Sequence, residues 1–182
     1  MTEEYTIPLE SSGARLVAHR LEDDGSFPNN ERLSLLVYVG VLHLPKEEPA
    51  AAIESLFHQH GWGGSWRDGV YTYHHYHSTA HEVLGVYGGT AQVQFGGPDG
   101  VILEVGRGDV VVIPAGVAHK NVGSGADFRV VGAYPGGRRP DMNYGRAGER
   151  PGADERIARV PHPEADPVYG EGGPLDEHWP AA

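Results

Sequence analysis

Gly69-x5-His75-Tyr76-His77-x4-Glu82-x6-Gly89, followed closely by Gly108-x5-Pro114-x-Gly116-x2-His119, is the stretch that decides the fold. Along a strand successive side chains point to opposite faces, so the spacing puts His75 and His77 on one face with Tyr71 and Tyr73, the inner face that would carry a metal. His74 and Tyr76 fall on the other face. Ser78 to His81 reads as a turn, after which Glu82, Leu84 and Val86 alternate with Val83, Gly85 and Tyr87 along a returning strand. Glu82 can then face the histidine pair from the neighbouring strand. In the second half the β-branched run Val110 to Ile113 leads into a Pro114-Ala115-Gly116 turn that aims His119 back inward. Three imidazoles and one carboxylate brought together in this way suit a single divalent transition metal: Fe, Mn, Ni, Zn or Cu.

Both halves resemble the two signature motifs of the cupin superfamily, whose small antiparallel barrels hold a metal in the barrel mouth. The pattern departs at one place: Gly123 stands where an Asn is expected four residues after His119, and Asn121 sits two residues earlier. That Asn is not a metal ligand in cupins, so the ligand set His75, His77, Glu82 and His119 is complete. More narrowly, Trp62-Gly63-x-Ser65-Trp66, Tyr73-His74-His75-Tyr76-His77-Ser78, His81-Glu82-Val83-Leu84-Gly85-Val86 and Val131-Gly132-Ala133-Tyr134-Pro135-Gly136-Gly137 are similar to the YjlB-type bacterial cupins. The similarity runs from about Gly25 to the C-terminus. It implies an all-β jelly-roll barrel (a double-stranded β-helix) and a metal, but no particular reaction.

Composition agrees with many short strands. The 182 residues include 27 Gly and 14 Pro, which suits tight turns, and no cysteine, which removes disulfides, thiolate ligands and cysteine nucleophiles. The length fits one domain with additions: residues 1–68 as N-terminal strands and a flanking helix, 69–134 as the barrel core with both motifs, and 135–182 as an extended tail packed on the barrel or on a partner. Leu33 to Leu44 reads as a buried strand. Glu47 to His60 reads as the one flanking helix, with Pro49 near its start and Ile53, Leu56, Phe57 and His60 on one face. Gly96-Gly97-Pro98-Asp99-Gly100 and Gly106-Arg107-Gly108-Asp109 read as hairpin connections, and Glu155 to Val160 as a short element in the tail.

A formal net charge of −11, with sparse Lys and Arg, argues against a nucleic-acid partner. No apolar run approaches a membrane span and no signal segment is evident, so a cytoplasmic protein without membrane contact is expected. Edge strands and an anchored tail point to a homodimer.

The expected function is a metal-dependent cupin acting on a small-molecule substrate, foremost as a dioxygenase-type oxidoreductase. A metal-dependent isomerase, epimerase or lyase, or a non-catalytic binding module, is the alternative. Tyr71, Tyr73 and Tyr134 are the candidate catalytic hydroxyls. Glu82 is preferred to His81 as the fourth ligand, His74 is expected to face outward, and Trp62 and Trp66 to anchor the helix or shape the pocket rim.

Overall fold

A computed structural model describes residues 4–8 and 13–180. Among them are ten strands and three helices: β1 (Glu4–Pro8), β2 (Arg15–Leu21), β3 (Asn30–Val39), α1 (Pro49–Gln59), β4 (Trp62–Asp68), β5 (Glu82–Gly88), β6 (Thr90–Phe95), β7 (Val101–Gly106), β8 (Val110–Ile113), β9 (His119–Ser124), β10 (Arg129–Pro135), α2 (Gly152–Ala158) and α3 (Pro174–His178). A seven-stranded sheet runs β1-β2-β3-β8-β5-β10-β4 and a three-stranded sheet runs β7-β6-β9. The named strand pairs are antiparallel. This is an all-β cupin jelly roll.

The middle of the large sheet, strands β2, β3, β8, β5 and β10, is buried on both faces, and strand parity decides which residue goes where. Val17, Leu35, Val37, Leu84, Val86, Val111, Ile113 and Val130 pack inward with Val93, Phe95 and Val105 of the small sheet. Their alternates Leu16, Ala18, Leu36, Tyr38, Val83, Val110, Val112 and Val131 pack outward under α1 and the C-terminal segment. A strand covered on both sides needs apolar residues at every position, which is why β8 is an unbroken Val-Val-Val-Ile. Ile53 and Phe57 of α1 are 1% and 0% exposed against this outer face. Burial of each contributes roughly 2 kcal/mol.

Three boundaries differ from the sequence reading. β3 stops at Val39, and Gly40 to Leu44 instead form a connection held by Gly40 N–H on Asp109 Oδ1 (2.7 Å) and Leu42 N–H on the Gly108 carbonyl (2.9 Å). Gly96 to Gly100 does close the β6–β7 hairpin, but Gly106 to Asp109 carries the chain across to the other sheet, where β8 pairs with β3 and β5. The histidine segment is not a regular strand: it touches its neighbours through isolated bridges, His75 with His119 and Tyr76 with Asn143. It spans from the small sheet to the tail, so no single neighbour can extend its ladder.

The C-terminal segment carries two short helices and is fastened to the barrel by buried polar contacts. Trp179 donates its indole N–H to the Ser34 carbonyl (2.8 Å) and Trp62 donates to the Ala165 carbonyl (2.9 Å). Asp166, 0% exposed, accepts from the Tyr38 hydroxyl (2.5 Å) and from the backbone N–H groups of Val168, Tyr169 and Leu175. No described helix is long and apolar enough to cross a membrane. Replacing Asp166 strands four donors in a dry interior, so Asp166→Ala is expected to cost about 3 kcal/mol of stability, read as a lowered urea midpoint. An unchanged midpoint would show that the tail does not depend on this acceptor.

Candidate metal centre

The site residues arrive from four separate pieces of chain. His75 and His77 come from the irregular segment, Glu82 opens β5, His119 opens β9, and Tyr134 lies near the end of β10. The β10–β5 register pairs Gly132 with Leu84 and Ala133 with Val83, so Tyr134 falls next to Glu82 by continuation of the ladder. The turn before His119 depends on a glycine. Gly116 has φ +95°, and a Cβ there would stand 2.2 Å from the Asn29 carbonyl oxygen. Its N–H binds the His77 carbonyl at 2.8 Å, tying the two motif halves together directly.

Each imidazole is oriented through one nitrogen by a backbone carbonyl. His75 Nδ1 lies 3.1 Å from the Tyr73 oxygen, His77 Nδ1 2.6 Å from the Asp141 oxygen, and His119 Nδ1 3.2 Å from the Val117 oxygen. A carbonyl can only accept, so each Nδ1 carries the proton and each neutral ring keeps its lone pair on Nε2. The three rings are buried, and their ligand nitrogens lie within 4.8 Å of one another. Glu82 Oε2 stands 3.3 Å from His77 Nε2 and 3.2 Å from His119 Nε2, with no hydrogen-bond donor of its own. Lone pairs from three rings and a carboxylate thus meet in a closed space. A cation reconciles such a set, and three buried histidines here could hold a metal ion.

Titration behaviour follows the same geometry. Burial disfavours the charged form of Glu82, yet His77 and His119 outweigh it and hold the carboxyl well below its usual range. Burial also works against protonating His77, but Glu82 and the Asp141 carbonyl prevail and raise its pKa. Burial, then His119, lowers His75 to about 3. Tyr134 is pushed up by burial and by Glu82, so its hydroxyl stays protonated. It points at Glu82 Oε1 (3.2 Å) and receives the Trp66 indole N–H at 2.8 Å. Trp66 in turn lies over its cross-strand partner Gly132, where an added Cβ would stand 2.1 Å from the ring.

A cavity of about 410 Å³ opens over these groups, walled by Trp66, Val70, Tyr71, Leu84, Tyr134 and Met142 among others. Tyr71 and Tyr73 do not face the interior as the alternation predicts. They are 51% and 43% exposed and stack on each other with centroids 4.9 Å apart at the mouth, because the segment lacks regular strand twist. Tyr71 still borders the cavity; Tyr73 does not. His74 packs beside Phe27, centroids 5.5 Å apart, away from the centre. His81 is buried elsewhere, accepting the Ala115 N–H at 2.9 Å and packing on Trp179. Trp62 anchors α1 and the tail, whereas Trp66 shapes the cavity.

Sequence reasoning missed Pro140, Asp141 and Met142, which also line the cavity. They lie beyond both motifs, in a Gly, Pro and Arg-rich stretch with no periodic signal.

Burial, then His162, holds His81 near pKa 3, as burial does His75. Between that value and the unfolded histidine value of about 6.5, the unfolded chain binds more protons than the folded one. The metal-free protein should therefore lose stability as pH falls from about 6.5 toward 3. In His81→Asn, which keeps an acceptor for Ala115, part of that slope should vanish. Urea midpoints across this range check it, and an identical slope would contradict the assignment. Metal uptake offers a second check: His77→Ala with His119→Ala should take up no stoichiometric divalent metal by elemental analysis, whereas full retention would place the ion elsewhere.

Comparison with known proteins agrees with this geometry. The cupin family model matches residues 69–133. A Bacillus subtilis protein, "Uncharacterized protein YjlB", is 43% identical over 157 residues, covering 86% of this chain and 92% of its own length. Solved structures to which the chain is similar include a DUF861 family protein of Thermotoga maritima at 21% identity and TM-score 0.31, covering 48% of this chain and 92% of its own. Procruciferin of Brassica napus is 18% identical with TM-score 0.36, covering 72% of this chain, which spans only 27% of that longer protein. With both motif halves inside the matched region and most of the chain shared with its Bacillus relative, the chain belongs to the cupins, in their YjlB-type branch.

Proposed function

We propose that this chain is a metal-dependent cupin acting on a small organic molecule as a dioxygenase-type oxidoreductase. His75, His77, Glu82 and His119 are the ligands of one divalent Fe, Mn, Ni, Zn or Cu ion. A redox-active ion bound there would supply the electron transfer that lets dioxygen react with an enediol, catechol or diketone. Tyr134 holds its proton and, by giving up its bond to Glu82 Oε1, would be the orienting donor to a substrate oxygen. Trp66 fixes that hydroxyl, and the stacked Tyr71 and Tyr73 form an aromatic rim for the outer part of the substrate.

The observation that supports oxygenation over proton-shuttling chemistry is the state of the carboxylates in the cavity wall. Isomerases and lyases of this type need a free base near the reacting carbon. Glu82 is turned toward His77, His119 and Tyr134, and Asp141 is saturated by Ser78, Thr79 and Asn143. Asp68 sits at the exposed end of β4 and accepts its neighbour Gly69 N–H at 2.7 Å. With Glu82 and Asp141 engaged in this way, a redox-active ion held by the histidines would supply the chemistry, with dioxygen as the oxidant.

Elemental analysis of protein purified without an affinity-column metal, followed by oxygen-electrode screening against enediols, catechols and diketones, tests this reading. One equivalent of a redox-active metal and substrate-dependent oxygen consumption are expected. His75→Ala should abolish turnover. Tyr134→Phe should keep the metal and slow turnover roughly a hundredfold. Full activity in His75→Ala would make the metal structural and the reading wrong. A homodimer is part of the same proposal, with edge strand β1 available for pairing. A monomer mass by light scattering at micromolar concentration would remove that part.

A further inference from the structure

The His77 carbonyl partner belongs to a residue whose own side chain is bonded back to the His77 neighbourhood. Asp141 lies beyond β10, 64 residues from His77, and its carbonyl oxygen is 2.6 Å from His77 Nδ1. Its carboxylate accepts the backbone N–H groups of Ser78 (2.7 Å) and Thr79 (3.2 Å), the hydroxyl of Thr79 (3.1 Å), the Asn143 amide (2.9 Å) and the Ser78 hydroxyl. Its own N–H returns to Thr79 Oγ1 at 3.0 Å. The two residues after His77 are thus stapled on both sides of one aspartate. From α2, Arg156 adds Nε on Ser78 Oγ at 2.7 Å and stands 3.6 Å from the carboxylate. Beside this, Tyr76 and Asn143 exchange backbone hydrogen bonds, 3.0 Å each.

This arrangement fixes more than local packing. Of the three carbonyls that orient the imidazoles, Tyr73 and Val117 each stand two residues from their histidine, so the local chain supplies them. His77 alone takes its carbonyl from the distant C-terminal segment. We propose that Asp141 is a positioning residue for His77: its carboxylate, clamped on Ser78 and Thr79, places its own carbonyl so that His77 is protonated on Nδ1 and presents Nε2 to the metal. Ion affinity thereby depends on docking of the segment after β10. The proposal rests on the metal reading above for its consequence, but the ring state of His77 can be read without any metal.

Two readouts separate positioning from simple stability. In metal-free protein at alkaline pH, long-range 1H–15N spectra of the histidine rings should show His77 protonated on Nδ1 alone. Asp141→Ala should give a mixture of tautomers at His77 while His75 and His119 keep theirs. Calorimetric titration with Zn²⁺ should then show affinity weakened roughly ten- to a hundredfold. Asp141→Asn, which keeps an oxygen for the Ser78 and Thr79 N–H groups, should stay within about threefold of the parent, well short of the loss of an orienting partner. Thr79→Val loses both bonds of its hydroxyl and should move both readouts the same way by less. It answers the question even if Asp141→Ala does not fold. Tyr38→Phe, which loosens the tail at Asp166 instead, should lower thermal stability and leave both readouts unchanged.

Unaltered His77 tautomer and Zn²⁺ affinity in Asp141→Ala and Thr79→Val would overturn the proposal. So would a Tyr38→Phe effect on Zn²⁺ as large as that of Asp141→Ala, since that would indicate general loosening of the tail. A parent protein that takes up no Zn²⁺ would defeat the metal reading, and the tautomer spectra would still decide the role of Asp141.

Discussion

Four hydrogen-bond acceptors turned toward one point constrain the rest of this molecule. Carbonyls of Tyr73, Asp141 and Val117 hold the Nδ1 protons, which leaves three Nε2 lone pairs facing a carboxylate whose Oε2 has no donor. Such a cluster needs positive charge among its members, a proton on His77 or a bound metal ion, because buried acceptors left facing one another cost free energy that water cannot recover. A cation bound there would therefore be linked to stability, and several backbone hydrogen bonds hold these rings in place. The Gly116 N–H on the His77 carbonyl and the paired bonds between His75 and His119 serve that end.

The sheets supply the stiffness this demands. Burial on both faces and a paired strand on each side give β5 and β10 little freedom, so Glu82 and Tyr134 are placed by register. Trp66 then packs over Gly132 and pins the Tyr134 hydroxyl, a contact that any larger residue at Gly132 would displace. The C-terminal segment acts as a third layer. It covers the outer face with Trp179 and Leu175, and it reaches around the barrel mouth with Asp141 and Met142.

The fold was legible because two signals reinforce each other. The mostly apolar β5 and the unbroken apolar run of β8 report burial on both faces, and the glycine frame around the histidines marks where the chain must turn. The inner set of His75, His77, Glu82 and His119 was legible for the same reason, since local spacing places each side chain. Tyr71 and Tyr73 were misread as interior because alternation holds only where a strand has a continuous partner, and this segment makes only isolated bridges. Asp141 was illegible altogether. Its role comes from a contact 64 residues away in sequence, and an aspartate after Pro140 in a Gly and Arg-rich stretch reads as an ordinary turn residue.

X-ray absorption at the metal edge of the protein as purified tests the central claim most directly. Three imidazole nitrogens and at least one oxygen at about 2.0–2.2 Å are expected, with the outer-ring scattering that histidine ligands produce. A first shell of oxygens alone, without imidazole scattering, would contradict the account and place the ion outside the cluster formed by His75, His77 and His119.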